Sequence, residues 1–257
     1  MSISVTDLSF QLGESVLLSE VSFDLDQGSI NVVVGPNGSG KTSLVKVLCG
    51  EYVPTAGTVE IDERDVHKLT PENRARLISV LPQEAALDFP FRVEEVVQMG
   101  RIPHSTSERV NRAILSSVLA EMKLDELRSR NYQTLSGGEK QRVQIARVLN
   151  QIWDVLDGAW LILDEPTAAM DLAHQLLFFK TLNQLKQQGA TILLVVHDLN
   201  IAMRYADRII LMSSARLLAT GKPIDVLNST LVREAFNVEI QMFATDEQSR
   251  PFIIPKV

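Results

Sequence analysis

The run Ile30-Asn31-Val32-Val33-Val34 ends directly on Gly35-Pro36-Asn37-Gly38-Ser39-Gly40-Lys41-Thr42, and a helical pattern takes over from Ser43 to Leu48. A short, largely apolar run of this kind suits a parallel strand covered on both faces. Strand, glycine-rich loop and helix together are the context that a phosphate-binding loop requires. The glycines let the backbone wrap an anion and present N–H groups at a helix N-terminus, where the dipole favours negative charge. Lys41 would bridge the β- and γ-phosphates of a nucleotide such as ATP. Thr42 offers a hydroxyl to Mg²⁺, an oxygen ligand suited to a hard cation. The plainer reading is a glycine-rich turn with a surface lysine and a capping threonine; the flanking elements argue against it.

The buried-strand signature returns at Trp160 to Leu163 and at Thr191 to Val196, and helical patterns run from Leu172 to Lys186 and from Leu199 to Tyr205. This alternation predicts an α/β fold around a parallel sheet. Val5 to Phe10 and Val16 to Leu25 read as strands ahead of it. From Gln83 to Trp153 the chain changes character. After the proline-containing stretch Phe89 to Phe91 come helical patterns at Val93 to Met99, Arg109 to Met122 and Gly138 to Asn150, which read as an inserted helical subdomain. Near the end, Val238 to Phe243 and Pro251 to Ile254 flank a polar Asp246 to Arg250 turn, the pattern of a hairpin.

With 257 residues, 45% of them apolar and 22% charged, the chain suits one soluble α/β domain with subdomains. Its formal net charge of −7 lacks the basic footprint of a nucleic-acid binder. The longest apolar stretches fall far short of the roughly 20 residues that span a bilayer, so membrane contact is expected through a partner. Asp7, Glu14 and Glu20 interrupt any leader-like pattern, and the expected location is the cytoplasm. Cys49, the single cysteine, is expected as a small buried hydrophobe. His67, His104 and His174 show no metal-ligand spacing and read as surface or packing residues.

Trp160-Leu161-Ile162-Leu163-Asp164-Glu165 sets two carboxylates where a buried strand runs out at its C-terminal end, the edge at which open α/β sheets bind ligands. Asp164 would belong to the Mg²⁺ shell, and Glu165 would polarise the attacking water as general base, worth on the order of 10² to 10⁴ in rate. Alone, such a run is also a common solvated strand end. Leu135-Ser136-Gly137-Gly138-Glu139 opens a helix, and Ser136 with Glu139 has capping-box spacing, so a well-capped helix is a sufficient reading by itself. Gln83 could be a surface amide, Asp171 an N-cap and His197 a strand end.

Leu135 to Glu139, continued by Lys140-Gln141-Arg142, resembles the signature sequence of the ABC ATPase family. Other landmarks of that family fall in matching order: Gln83 resembles the Q-loop glutamine, Asp171 in Ala168-Ala169-Met170-Asp171 the D-loop aspartate, and His197 the switch histidine. The resemblance spans essentially the whole chain. It implies a phosphate-loop ATPase cassette: a RecA-like parallel-sheet core with an antiparallel β subdomain over 1–82 and 154–257, and an inserted helical subdomain over 83–153. It further implies a homodimer holding two ATP molecules head to tail, with each phosphate loop facing the other copy's Ser136 and Gly138. Gln83 joins the Mg²⁺ and catalytic set with Thr42, Asp164, Glu165 and His197, and Asp171 lies near the nucleotide. The family usually stacks adenine on an aromatic residue; the matching position here is Leu12, with Phe10 two residues earlier, and strand alternation would put both on one face.

Leu87 to Val97 resembles the surface where importer ATPases receive a permease helix; ordinary core packing of Phe89, Phe91 and Val93 is the plainer reading. Gln83 beside it would couple γ-phosphate to permease by rigid-body motion of the helical subdomain. Phe89 to Val97, Gly100-Arg101-Ile102-Pro103-His104, the interval Asn150 to Ala159, Asp171 to Gln175 and Arg250 to Pro255 resemble the iron-siderophore, cobalamin and haem importer group, haem importers most. That resemblance implies a peripheral subunit on the cytoplasmic face of the inner membrane, with two permease subunits and a periplasmic binding protein acting through them. Siderophore or cobalamin import remains open, as does a soluble ATPase of iron-sulfur cluster assembly. Nucleic acid is not an expected partner.

Overall fold

The computed structural model describes residues 3–83, 87, 89–244 and 250–256. In chain order its first elements are β1 (Ile3–Leu12), β2 (Ser15–Leu25), β3 (Ile30–Val34), α1 (Lys41–Leu48), β4 (Ala56–Ile61) and β5 (Arg64–Asp65). Then come α2 (Pro71–Leu77), β6 (Ile78–Leu81), α3 (Val93–Gln98), α4 (Glu108–Glu121), α5 (Gly137–Ile152), β7 (Trp160–Asp164), α6 (Leu172–Gln187) and β8 (Thr191–Val195). The chain finishes with α7 (Leu199–Tyr205), β9 (Arg208–Ser213), β10 (Arg216–Gly221), α8 (Pro223–Val226), α9 (Ser229–Phe236), β11 (Ile240–Phe243) and β12 (Phe252–Pro255). It divides into two compact units, residues 1–69 with 193–257, and residues 70–192, so the division falls within β8.

The first unit carries an antiparallel sheet in the order β2-β1-β4-β5 and a second sheet in the order β10-β9-β3-β8. All five residues of β3 are buried, as its apolar run predicts, and it pairs in parallel with β9 at Val32↔Ile209. Asn31 is the polar exception, and its amide donates to Ser29 Oγ at 2.8 Å. The β9–β10 hairpin turns on Ser214 and Ala215, both at positive φ, the conformation that matches the twist of paired strands. β11 and β12 pair antiparallel with Phe243 opposite Phe252. The strands of the expected hairpin therefore form, while most of its proposed turn, 246–249, lies outside the described residues. Cys49 departs from expectation. It is half-buried at the C-terminal cap of α1, and its thiol donates to Lys46 O at 3.4 Å.

In the second unit β8 borders β7, which pairs in parallel with β6 at Val80↔Ile162. Trp160 through Leu163 are nearly fully buried, and β7 ends on Asp164, only 2% exposed. α2 starts at Pro71 behind a Thr70 cap whose hydroxyl accepts from Asn73 N, a Thr-Pro start that favours the first helical turn. α5 runs 16 residues, as long as α6, between the Ser136 cap and Trp153 at its C-terminal cap. Its buried face includes Val143, Ile145, Ala146, Val148, Leu149 and Ile152. Ser79 Oγ donates to Val148 O at 2.8 Å, tying β6 to the helix.

Candidate active site

In the first unit, the loop between β3 and α1 is shaped by walls that leave no room for side chains. A Cβ on Gly35 would lie 2.3 Å from Met212 O. Gly40 has φ +99°, and a Cβ there would lie 2.5 Å from Leu17 O. Only glycine satisfies both demands at position 40. Because Gly40 is the N-cap, α1 starts without a side-chain acceptor for its first N–H groups, and those groups favour an anion. Lys41 is buried and its Nζ donates to Gly35 O at 2.8 Å and Pro36 O at 2.9 Å, so the ammonium is drawn back over the loop. Ser39 is 2% exposed, and its Oγ has no hydrogen-bond partner among the described residues. An unmet buried hydroxyl costs about 1–3 kcal/mol, and a phosphate oxygen is an acceptor that would relieve it. Thr42 is exposed.

His197 is exposed and follows Val196, whose N–H donates to Val33 O at 3.3 Å. The strands β3 and β8 thus release the phosphate loop and His197 at neighbouring ends. Phe10 and Leu12, two residues apart on β1, differ sharply in burial. Register shifts between Leu8 and Phe10 and between Phe10 and Gln11 make the pairing of β1 with β2 irregular near the strand end. Phe10 is buried and stacks on Tyr52 with centroids 4.9 Å apart, whereas Leu12 is 60% exposed. Of the two, Leu12 alone has surface to offer a base.

In the second unit, the register of β6 with β7 places Leu81 opposite Leu163, so residues two further along each strand emerge side by side. Gln83 Nε2 donates to Glu165 Oε1 at 3.0 Å across 82 positions of sequence. Glu165 has φ +51°. A non-glycine residue in that region costs of order 1–3 kcal/mol and persists where surrounding structure enforces it. Asp164, immediately before, is buried at the strand end. A buried carboxylate beside a half-buried one gives the oxygen-rich character that a hard cation prefers.

Ser136 caps α5 in a reciprocal box. Its Oγ accepts from Glu139 N at 3.3 Å, and its own N–H donates to Glu139 Oε2 at 2.8 Å. The Ser136 N–H, then its hydroxyl, hold the Glu139 carboxyl below the usual range. A Cβ on Gly138 would lie 2.8 Å from Ala169 O, so the helix start and the Ala168–Asp171 segment approach backbone to backbone. Gln141 Nε2 reinforces the approach by donating to Pro166 O at 3.1 Å. In the sequence Gln141 stands only as part of the run that continues the signature, with no role of its own, although it lies one helical turn beyond Gly138, on the same side of α5. Asp171 caps α6, and its Oδ1 receives both the backbone N–H of His174 at 2.9 Å and its Nδ1 at 2.8 Å. Those contacts, the backbone one foremost, hold the Asp171 carboxyl below the usual range.

The structure thus groups the predicted residues as Gly35–Thr42 with His197 in one unit. In the other it groups Gln83 with Asp164 and Glu165, and Ser136 and Gly138 with the segment leading to Asp171. His67 and His104 are half-buried and bonded to the carbonyls of Tyr52 and Gln151, as packing residues are. Among the described residues no helix is long and apolar enough to cross a membrane.

The family model for ABC transporters matches residues 18–168. The chain is 41% identical over 254 residues to the hemin import ATP-binding protein HmuV of Pseudomonas entomophila, covering 99% of this chain and 100% of that protein. It is 39% identical to the protein of the same name from Photobacterium damselae subsp. damselae, over 99% of this chain and 96% of the relative. Among solved structures, an ATP-binding subunit of an ABC transporter superposes with a TM-score of 0.79 at 26% identity, over 92% of this chain and 94% of that one. A structure described as a metal-chelate type ABC transporter in an inward-facing conformation superposes with a TM-score of 0.82 at 26% identity, over 100% and 98%. A phosphate loop, a strand ending in paired carboxylates and a capped Ser136 helix, joined to likeness over nearly the full length, lead to one conclusion: the chain belongs to the ABC transporter family.

Proposed function

We propose that this chain is the ATP-binding and ATP-hydrolysing subunit of an importer for hemin. The observation that carries the reading is its likeness, along nearly its whole length, to proteins named hemin import ATP-binding protein. In this reading the chain is one nucleotide-binding domain, with a core over 1–82 and 154–257 and a helical subdomain over 83–153. Two copies act as a homodimer on the cytoplasmic face of the inner membrane. They work beneath two permease subunits that receive hemin from a periplasmic binding protein.

The residues divide the work. Gly35 to Thr42 bind the phosphates of ATP, with the N–H groups at the start of α1 and the Lys41 ammonium meeting their charge. Thr42, Asp164 and Gln83 would hold Mg²⁺ through their oxygen atoms, a set whose chemistry fits a hard cation, and the ion would shield phosphate charge. Glu165 takes the proton of the attacking water, and His197 holds the γ-phosphate end of the site. Gln83 releases Glu165 when it turns toward nucleotide, which links the state of the carboxylate to that of the site. Ser136 and Gly138, at the positive end of α5, bind the γ-phosphate held by the other copy. Asp171 lies beside them. Loss of the shared anion on hydrolysis loosens the dimer, and that change of population performs work on the permease.

The test is transport by the chain co-expressed with its permease in vesicles with hemin-loaded binding protein. ATP-dependent hemin entry is expected, and it should vanish with Glu165→Gln. ATP hydrolysis that responds to ferric siderophore or cobalamin but not to hemin would overturn the substrate assignment. Absence of any permease association would overturn the importer reading itself.

A further inference from the structure

The residues Gly100-Arg101-Ile102-Pro103-His104 take no part in the chemistry above, yet the second unit fixes them with unusual thoroughness. They form a turn after α3 that lies against the C-terminal end of α5. A Cβ on Gly100 would fall 2.2 Å from Arg147 O, so the two backbones meet where only glycine fits. The Pro103 carbonyl accepts from Arg76 Nε at 2.8 Å, and His104 Nε2 lies 2.7 Å from Gln151 O. Ile102 faces the other way and is 80% exposed.

Arg101 is the centre of the arrangement. It is 3% exposed. Its Nε donates to Asn111 Oδ1 at 3.0 Å. Nη1 donates to Asn150 O at 3.0 Å and to Asp154 Oδ1 at 2.7 Å. Nη2 donates to Thr106 Oγ1 at 3.2 Å and to Asp154 Oδ2 at 2.8 Å. A guanidinium has five N–H groups, and every one is met here. A buried ion pair is weak evidence for stability, because desolvation offsets much of the attraction and an apolar pair of equal volume often serves as well. What the planar fork supplies is a fixed geometry between two pieces of chain. One piece is the turn that carries Ile102. The other is the end of α5, whose opposite end is capped by Ser136; at 1.5 Å per residue the helix between them is about 24 Å of rigid rod.

We infer that Arg101 is a positioning residue: through Asp154 it makes the Ile102 turn and α5 move as one body, so that ATP at Ser136 and a protein touching Ile102 each feel the other. The inference rests on the reading of Ser136 as an ATP contact, with the permease as the protein that Ile102 meets. Coupling of this kind is reciprocal in binding free energy, so it can be read from the nucleotide side without the partner.

The experiment is hydrogen exchange on the full chain carrying Glu165→Gln, with and without ATP and Mg²⁺. ATP should slow exchange both at 135–139 and at 99–106. Adding Arg101→Lys, or separately Asp154→Asn, should abolish the ATP effect at 99–106 while leaving that at 135–139 and the ATP affinity within twofold. Asp154→Asn keeps the side-chain shape should Arg101→Lys fail to fold. In the otherwise wild-type chain bound to its permease, either change should lower permease-stimulated hydrolysis at least tenfold, with unstimulated hydrolysis and co-purification within twofold. An ATP effect at 99–106 that survives both substitutions, or that is absent while 135–139 responds, would overturn the inference. No response at 135–139 would instead sink the reading of Ser136, and no permease association would sink the importer reading. In that last case the exchange data still decide the role of Arg101.

Discussion

Replacing Ser136 with alanine separates two readings of the same hydroxyl. As a cap, Ser136 Oγ accepts from Glu139 N at 3.3 Å and donates to Glu139 Oε2 at 2.9 Å, while the bond from its own N–H to Glu139 Oε2 at 2.8 Å survives the substitution. Loss of an N-cap acceptor typically costs about 1 kcal/mol. For a chain of this size that lowers Tm by about 2–4 °C. Against a total stability of about 5–15 kcal/mol, the protein remains folded at 25 °C, so a purely structural serine predicts unchanged ATPase activity. If the hydroxyl also donates to the γ-phosphate, a hydrogen bond to a charged group is lost, worth about 1.5–3 kcal/mol. The rate should then fall about 10- to 100-fold at an ATP concentration that saturates the wild type. Ser136→Asn sharpens the comparison, since asparagine caps as well as serine and should recover the Tm without the rate. The assay is phosphate release alongside a thermal melt for all three proteins. Hydrolysis by Ser136→Ala within twofold of wild type, with the Tm loss present, would refute the phosphate contact and leave the capping role alone.

Glu165→Gln should bind ATP with near-normal affinity, hydrolyse it at least 10²-fold more slowly and accumulate as dimer on gel filtration; normal turnover would remove Glu165 from the mechanism. Lys41→Ala should raise the Kd for ATP at least tenfold in calorimetry, through loss of a charge-assisted contact. Gly40→Ala combines a left-handed backbone cost of about 1–2 kcal/mol with about 1–3 kcal/mol for displacing the Leu17 carbonyl. A melt should show a fall of roughly 5–15 °C. Burial, then the charge of Arg101, push the His104 pKa below its ordinary value of 6.5. The folded state therefore binds fewer protons there than the unfolded chain, and stability that is whole above about pH 6.5 should drain away as pH falls. His104→Gln should flatten that part of the pH–stability curve, and denaturant titrations at pH 7.5 and 5.5 would register the difference.

The parts of the fold that were legible in sequence are those governed by local chemistry. Ile30–Val34 is buried on both faces and reads so, and Ser136 and Asp171 carry the caps their residue types announce. Less visible was whatever depends on distant partners. β6 is only four residues long, and its short run Ile78–Leu81 gains meaning from pairing with β7. The Gln83–Glu165 bond follows from that pairing and from nothing near either residue. Phe10 and Leu12 diverge in burial near the end of β1, where its register against β2 shifts, a feature that local alternation does not reveal. Arg101 shows the limit most clearly, since a charged residue beside glycine and proline reads as solvent-facing until all its partners are assembled.

Trp153 is half-buried at the C-terminal cap of α5, one residue before Asp154. The other tryptophan, Trp160, is 1% exposed within β7. Indole emission shifts with the polarity and rigidity around the ring, so the chain carries its own optical probe of the Arg101 junction. A Trp160→Phe background would leave that single emitter, and the end of the helix could then be followed in milliseconds after ATP is added, with no label attached.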